Sequence, residues 1–141
     1  DGNAPRLYAT RSGKPVCDVQ RLAELLTDVP SVNETWAGAA GIDPEDVADS
    51  IVGYTPVLLS FDTAVTDHFF GPDGASAFQS ILQAGTPVLV DDRGVPRAQC
   101  SSGNPLGEPR RDSEAELEGE RWEGFDDAKV IQVHPAPRPP R

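Results

Sequence analysis

The sequence predicts an α+β fold, in which a small helical N-terminal half packs on an antiparallel sheet or a half-open barrel of about five strands. Apolar residues recur at helical spacing up to residue 53 and mostly alternate with period two beyond it. Of the 141 residues, 38% are hydrophobic, which is enough for the core of one domain. The 14 prolines and 13 glycines predict long irregular connections between short elements.

Three short helices are predicted before the first strand. They cover 18–27, 31–41 and 43–53. Asp18 can cap the first helix, Ser31 opens a capping box in the second, and Pro44 takes the first helical position of the third. Gly41 and Gly53 mark the ends of the second and third helices.

The second half of the chain reads as strands joined by tight turns. The predicted strands cover 55–61, 63–70, 77–84, 86–91, 95–100 and 128–133. Segment 77–84 also has the apolar spacing of a helix, but the continuous β pattern that follows it favours a strand. A Gly-Pro-Asp-Gly turn at 71–74 and a hairpin turn at 91–94, with Gly94 in the left-handed position, connect neighbouring strands.

The composition along the chain predicts one domain with irregular flanks. Residues 1–16 are expected to form an extended N-terminal arm, 17–134 a single α+β domain, and 135–141 a proline-rich tail that leads away from it. Within the domain, 107–121 is predicted to be a mobile acidic excursion. Its segment 112–120 holds five carboxylates and one large apolar residue, so burial cannot offset the entropy of ordering it.

The charge balance restricts the class of partner. There are 23 acidic and 12 basic residues, a formal charge of −11, which repels phosphate backbones and predicts no nucleic-acid partner. No run of about 18 apolar residues occurs, so this segment is not expected to insert into a membrane. Methionine is absent, which indicates a processed or excised piece. The excess of arginine over lysine indicates an actinobacterial source, and a halophilic source is the alternative.

Cys17 and Cys100 are the only cysteines in the sequence. In an exported protein, two cysteines predict one disulfide, which here would close a loop of more than 80 residues. Chain entropy sets an upper value of about 4–5 kcal/mol for the stabilisation by such a bridge. The alternatives are two inert buried thiols, or a nucleophilic Cys17 thiolate at a helix N-terminus with His68 as base.

One group of three aspartates and a histidine has the residue types of a metal site. Asp62, Asp67, His68 and Asp73 are predicted to crowd around one turn, and such side chains can hold a hard or borderline cation. Their spacing matches no calcium loop, and aspartates in turns usually accept hydrogen bonds from main-chain amides. We therefore assign no metal site. If a metal ion were bound, Asp67, His68 and Asp73 would be the candidate ligands.

Motifs of familiar enzymes are absent from the sequence. There is no Gly-x-Ser-x-Gly, no phosphate-binding glycine loop, no His-Glu-x-x-His and no Cys-x-x-Cys, so no cofactor is predicted. Asp91 and Asp92 could act as an acid–base pair, but a hairpin tip usually carries aspartate because the turn requires it. His134 lies beside Pro135, and we assign it no role.

Several longer stretches together resemble one family. They are 17–19, 36–38, 54–59, 65–68, 82–97, 103–106, 122–125 and 135–137, and those within 82–106 are the most specific. The pattern resembles a domain of unknown function found in actinobacterial exported proteins, often behind a lipoprotein leader. The resemblance implies a location in the cell envelope or outside it, and no activity. In that family a second cysteine commonly stands at the position of Ser102, and asparagine at that of Asp67, so this chain departs from it at both.

The sequence therefore favours a non-catalytic extracellular or cell-envelope binding module of an actinobacterium. If a lipoprotein leader precedes this domain in the full-length protein, we expect that protein to be lipid-anchored. Its expected partner is an envelope or extracellular protein or a wall polymer. The candidate ligand-binding residues lie on the turn 62–73 and the loop 101–106, since binding residues concentrate on loops held by a rigid scaffold. They are Asp62, Asp67, His68, Asp73 and Asn104. A cysteine- or metal-dependent envelope enzyme and an extracellular sensor domain are the alternatives.

Overall fold

The computed structural model describes residues 1–2, 7–9, 17–71, 74–109 and 130–137. Within them lie three α-helices, α1 (Val19–Thr27), α2 (Pro30–Ala40) and α3 (Val47–Gly53), with a 3-10 turn (Pro44–Asp46) before α3. The strands are β1 (Tyr8–Ala9), β2 (Thr55–Leu59), β3 (Thr63–Gly71), β4 (Gly74–Leu82), β5 (Pro87–Val90), β6 (Pro96–Gln99) and β7 (Ile131–Gln132). The predicted α+β class and the helical N-terminal half are confirmed. None of the described helices is long and apolar enough to cross a membrane.

The helix ends follow local chemistry with one exception. Asp18 caps α1 as predicted, because its Oδ1 accepts from the main-chain N–H of Arg21 at 3.0 Å. The predicted capping box at Ser31 is wrong, since α2 already begins at Pro30, whose fixed φ suits the first helical position. Gly41 ends α2 with φ of 75°, the left-handed conformation that glycine adopts readily.

The strands divide between two sheets. The first has the order β1-β2-β5-β6 and is antiparallel throughout, whereas the second has the order β4-β3-β7, with β7 parallel to β3. The described strands therefore form two packed sheets in place of one sheet or half-open barrel. Residues 77–82 of segment 77–84 lie in a strand as predicted, and β4 runs from Gly74 to Leu82. The predicted strand 55–61 ends at Leu59, so Phe61 is exposed and does not share its buried face.

Two apolar cores lie on opposite faces of β5. Alternation along β5 directs Leu89 to the helices and its neighbours Val88 and Val90 to the second sheet. The core under the helices contains Ala23, Trp36, Ala37, Val47, Ile51, Leu89 and Ala98. The core between the sheets contains Val57, Leu59, Val65, Leu82, Val88, Val90 and Leu106. β5 is thus the middle layer, buried on both faces, and it carries β6 and the loop that follows β6.

The two ends of the described chain meet at the β5–β6 turn. Gly2 donates its N–H to the carbonyl oxygen of His134 at 2.7 Å. Arg93 in the turn accepts from Ala136 N–H at 2.9 Å and donates from Nε to the Ala136 carbonyl at 2.7 Å. Residues 135–137 therefore lie against the domain rather than leading away from it. Of the predicted excursion 107–121, only 107–109 is within the described residues.

Candidate functional site

A groove of about 430 Å³ opens between the helices, the tip of the β3–β4 hairpin and the loop after β6. Apolar side chains and small hydroxyl and amide groups line it, and among the described residues that do so none is charged. They are Leu26, Ser31, Val32, Thr35, Trp36, Phe70, Gly74, Ser102, Gly103 and Asn104. Phe70 and Val32 are both substantially exposed, at 39% and 42%. This mixture of apolar surface and convergent neutral polar groups is typical of a binding site.

Trp36 holds the loop side of the groove in place. Its side chain is only 1% exposed, and its Nε1 donates to the carbonyl oxygen of Gly103 at 2.7 Å. Gly103 has φ of +73°, and a Cβ at this position would lie 3.0 Å from Cδ1 of Leu22. The left-handed conformation and the close packing of this loop against α1 both favour glycine at position 103.

The predicted disulfide between Cys17 and Cys100 is present, with 5.9 Å between the two Cα atoms. It joins the start of α1 to the end of β6, directly before the loop that lines the groove. In this state Cys17 has no thiol to act as a nucleophile, so the cysteine-dependent alternative lacks its reactive group. The bridge instead fixes the position of the 101–104 loop relative to the helices.

Asp67 connects the 101–104 loop to β3 through hydrogen bonds. Its carboxylate is 6% exposed and accepts from the main-chain N–H of His68 at 2.7 Å and from Nε2 of Gln99 at 3.1 Å. Nδ2 of Asn104 lies 3.5 Å from Asp67 Oδ1 and donates to the carbonyl oxygen of His68 at 3.2 Å. These donors are main-chain and side-chain amides, so the oxygen atoms of this buried side chain have hydrogen-bond partners. Asn104, a predicted ligand-binding residue, lines the groove.

His68 lies next to Asp67 but faces the other way. Consecutive residues of a strand point to opposite faces of the sheet, so these two side chains do not converge on one ion. His68 Nδ1 lies 2.8 Å from the carbonyl oxygen of Pro105, and since a carbonyl can only accept, Nδ1 carries the proton. No group of three His, Cys, Asp or Glu side chains suited to a metal ion occurs in the described part of the chain. Asp73, the third weaker metal candidate, lies outside it.

The predicted crowding of acidic side chains around one turn is wrong for Asp62, which lies far from Asp67 and His68. The chain between Asp62 and the hairpin tip is one extended strand, Thr63–Gly71, so Asp62 and Asp67 are separated by roughly 17 Å. Asp62 instead accepts from the main-chain N–H of Ala84 through Oδ1 at 2.8 Å, at the far end of the hairpin. The structure brings together Asp67, His68 and Asn104.

The apolar side of the groove was not predicted from the sequence. Phe69 and Phe70 directly precede the turn at 71–74, where large apolar side chains have little core to enter, and both are exposed. That pairing of aromatic residues at a hairpin tip is a signal that the sequence does carry. Gln99 and Trp36 gave no comparable signal, because their partners lie far away in the chain.

Comparison with known proteins identifies a family. A family model described as a domain of unknown function (DUF6777) matches residues 1–140. The chain belongs to this family. No curated protein and no solved structure matches this chain. The match agrees with the resemblance to a domain of unknown function, and it assigns no activity.

A second polar cluster of the DUF6777 domain lies at the β5–β6 turn. Asp91 accepts from the main-chain N–H groups of Arg93 and Val95 through Oδ1, at 2.9 and 3.0 Å. Its Oδ2 accepts from Nε of Arg97 at 2.8 Å. The Tyr8 hydroxyl donates to the carbonyl oxygen of Gly94 at 2.6 Å. As predicted for a hairpin tip, Asp91 builds the turn with these bonds.

The tyrosines of this cluster give a pH-dependent prediction. Burial raises the pKa of Tyr8, and the nearby Asp91 carboxylate raises it further. Burial also raises the pKa of Tyr54, an effect that Arg97 opposes and Asp91 supports. Because the fold favours the neutral phenols, their contribution to stability is complete below the ordinary tyrosine pKa of 10.0 and is lost as the pH rises through the folded-state pKa values.

We therefore expect the near-ultraviolet phenolate band of the native domain to appear well above pH 10.0, and that of the urea-unfolded chain close to it. Tyr8 and Tyr54 are the only tyrosines, so the whole signal reports on this cluster. The variant Tyr8→Phe is the control, since it leaves Tyr54 alone to titrate. Half of the native phenols ionised at the ordinary tyrosine pKa would contradict the burial of both side chains.

Proposed function

We propose that the DUF6777 domain is a non-catalytic binding module that acts outside the cytoplasmic membrane, with the groove as its contact surface. The observation that carries the proposal is the groove itself. A cleft whose described lining is uncharged, with exposed Phe70 and Val32, is held by a disulfide, a buried tryptophan and the hydrogen bonds of a buried carboxylate. A site on a rigid support loses less conformational entropy when it binds a partner. Its expected partner is an envelope or extracellular protein or a wall polymer.

The proposed location is the envelope or exterior of an actinobacterium, with a lipid anchor in the full-length protein. The disulfide supports an oxidising compartment, because thiols are kept reduced in the cytosol of most organisms. The arginine-rich composition and the resemblance to exported actinobacterial domains support the source. Labelling of intact cells with a membrane-impermeant amine reagent tests the location, and protection of the protein until the cells are lysed would contradict it.

The groove lies away from the place where the first and last described residues meet. Gly2 and residues 134–136 meet at the β5–β6 turn, whereas the 101–104 loop follows the other end of β6. The four residues of β6 separate the two places by about 13 Å. A partner in the groove therefore does not cover the surface where Gly2 meets residues 134–136.

The binding function is tested with the purified cell walls and, separately, the extracellular protein fraction of the producing organism. We expect the immobilised wild-type domain to retain material from at least one of them, and Phe70→Ser to retain about ten-fold less, because the groove loses its exposed ring. Phe61→Ser is the matched control, since Phe61 is exposed to a similar degree, 43%, but lies away from the groove. Retention from neither fraction, or equal retention by Phe70→Ser, would contradict the proposal.

A further inference from the structure

The polar side chains of the groove are hydroxyl and amide groups that can both donate and accept hydrogen bonds. Ser31 and Ser102 are exposed, and Thr35 and Asn104 are half-buried. The Thr35 hydroxyl donates to the carbonyl oxygen of Ser31 at 2.8 Å, so its oxygen keeps acceptor sites. The Ser102 hydroxyl oxygen accepts from the main-chain N–H of Asn104 at 3.2 Å, so its proton remains available. The groove therefore presents at least one donor and one acceptor to a ligand.

The hydrogen bonds of Asn104 fix the orientation of its side-chain amide. Its Nδ2 donates to the carbonyl oxygen of His68 at 3.2 Å and lies 3.5 Å from Oδ1 of Asp67. Both of these neighbours are acceptors, so the nitrogen of the amide faces them and the oxygen does not. Oδ1 of Asn104 has no hydrogen bond to another described residue. It is therefore a second acceptor for a ligand, on a residue that lines the groove.

The main-chain groups at positions 103 and 104 of the 101–104 loop are already paired. Gly103 donates its N–H to the carbonyl oxygen of Gln99 at 2.8 Å, and its own carbonyl accepts from Trp36. Asn104 donates its N–H to Ser102, and its carbonyl accepts from the N–H of Gln99 at 3.0 Å. These two positions therefore offer a peptide backbone no free main-chain group. The loop recognises a ligand through its side chains.

Phe70 supplies apolar surface on the hairpin side of the groove. Its ring is 39% exposed and lines the groove, with Leu26 and Val32 on the helical side. The adjacent Phe69 is more exposed, at 66%, but consecutive residues of a strand point to opposite faces, and it does not line the groove. A partly exposed aromatic ring beside polar groups matches a ligand with one flat apolar face and a polar rim. A pyranose ring is such a ligand, since its C–H groups form an apolar face and its hydroxyls project from the edge.

The charge of the groove favours an uncharged ligand. None of the described residues that line it is charged, so a charged ligand group would lose hydration there without gaining a counter-ion. The formal charge of −11 on the chain also repels anionic polymers. A purely aliphatic ligand would cover the hydroxyl and amide groups and leave them without hydrogen bonds. A neutral sugar satisfies both the apolar and the polar groups of the groove.

We propose that the groove binds a neutral carbohydrate, with one sugar ring stacked on Phe70. The Ser102 hydroxyl donates to an oxygen of the sugar, and Oδ1 of Asn104 and the hydroxyl oxygen of Thr35 accept from sugar hydroxyls. This inference rests on the proposed binding function and names the chemical class of its partner. Binding is reversible and involves no covalent step.

The experiment uses oligosaccharides released by partial acid hydrolysis from the walls and the extracellular polysaccharide of the producing organism. Anion exchange separates them into a neutral and an anionic pool. Saturation-transfer NMR with the disulfide-bonded domain is expected to show contacts from ring C–H protons of sugars in the neutral pool and none from the anionic pool. Calorimetry with a purified neutral oligosaccharide then gives the affinity of the wild type and of each variant.

Three variants report on the contacts of the sugar. Phe70→Ala is expected to bind the neutral oligosaccharide about ten-fold more weakly, because the stacking surface is lost. Phe69→Ala is the matched control and binds as the wild type does, since it removes a neighbouring, more exposed ring from the other face of β3. Ser102→Ala is expected to bind about five-fold more weakly, the effect of one hydrogen bond of about 1 kcal/mol. This last variant tests the inference independently of the folding of Phe70→Ala.

Several outcomes would overturn the inference. These are no binding of the neutral pool, stronger binding of the anionic pool, or equal binding by Phe70→Ala and Phe69→Ala. Retention of an extracellular protein that depends on Phe70, with no competition by the neutral pool, would assign the groove to a peptide instead. In that case the proposed binding function stands and the carbohydrate assignment is wrong.

Discussion

Replacing both Cys17 and Cys100 with serine is expected to lower the free energy of unfolding by up to about 4.5 kcal/mol. The bridge closes a loop with a sequence separation of 83, and its loss returns that loop's entropy to the unfolded chain. Guanidinium unfolding of the oxidised wild type and of the double variant measures the difference. A parallel titration with reductant is the control, since reductant should destabilise the wild type and leave the double variant unchanged.

The bridge lies inside the packed part of the fold. Cys17 and Cys100 pack against the core under the helices, at the junction of α1 and the groove loop. A change below about 1 kcal/mol, with reductant equally harmless to both proteins, would mean that the bridge does not restrain the unfolded chain as inferred.

Trp36→Ala is expected to cost about 3–5 kcal/mol, the range for removing a large buried ring. Trp36 is almost fully buried in the core under the helices, and its loss also leaves the Gly103 carbonyl without its donor. Trp36→Phe keeps most of the ring but not the hydrogen bond, so an intermediate loss of about 1–3 kcal/mol is expected. Thermal or denaturant unfolding of these variants measures both effects.

The exposed Phe61 provides the comparison for Trp36. Phe61→Ala removes an aromatic ring that is 43% exposed and belongs to neither core, so it should change the free energy of unfolding far less, by about 0.5 kcal/mol. Trp36→Phe is also expected to weaken partner retention, because the groove loop loses one of its attachments. Equal stabilities for Trp36→Ala and Phe61→Ala would contradict the role of Trp36 as the support of the groove.

The elements that the sequence predicts well are those decided by local chemistry. Asp18 caps α1 with an amide three residues away, and Gly94 takes the left-handed position of a turn, with φ of 79°. Where two local signals competed, the prediction failed. The sequence predicts that Ser31 caps α2, but α2 begins one residue earlier, at Pro30, because the fixed φ of proline suits the first helical position.

The candidate site was only partly predictable, because its geometry depends on contacts between distant residues. Asn104 lines the groove as expected of the 101–106 loop, but Trp36 and Phe70 reach it from separate elements. Asp62 and Asp67 are close in sequence, and the extended β3 separates them. Spacing in the sequence therefore gives the wrong distance between two side chains where an extended strand is taken for a turn. It also carries no information about which loop a helix contacts.

The binding role of the groove is tested most directly by a photo-crosslinking amino acid placed at Val32 and, in a separate variant, at Val52. The two valines are exposed to similar degrees, 42% and 41%, but Val32 lines the groove whereas Val52 lies on α3. In intact cells of the producing organism, illumination is expected to give a discrete covalent adduct from position 32 and none from position 52. No adduct from either position, or equal adducts from both, would contradict a partner-binding groove.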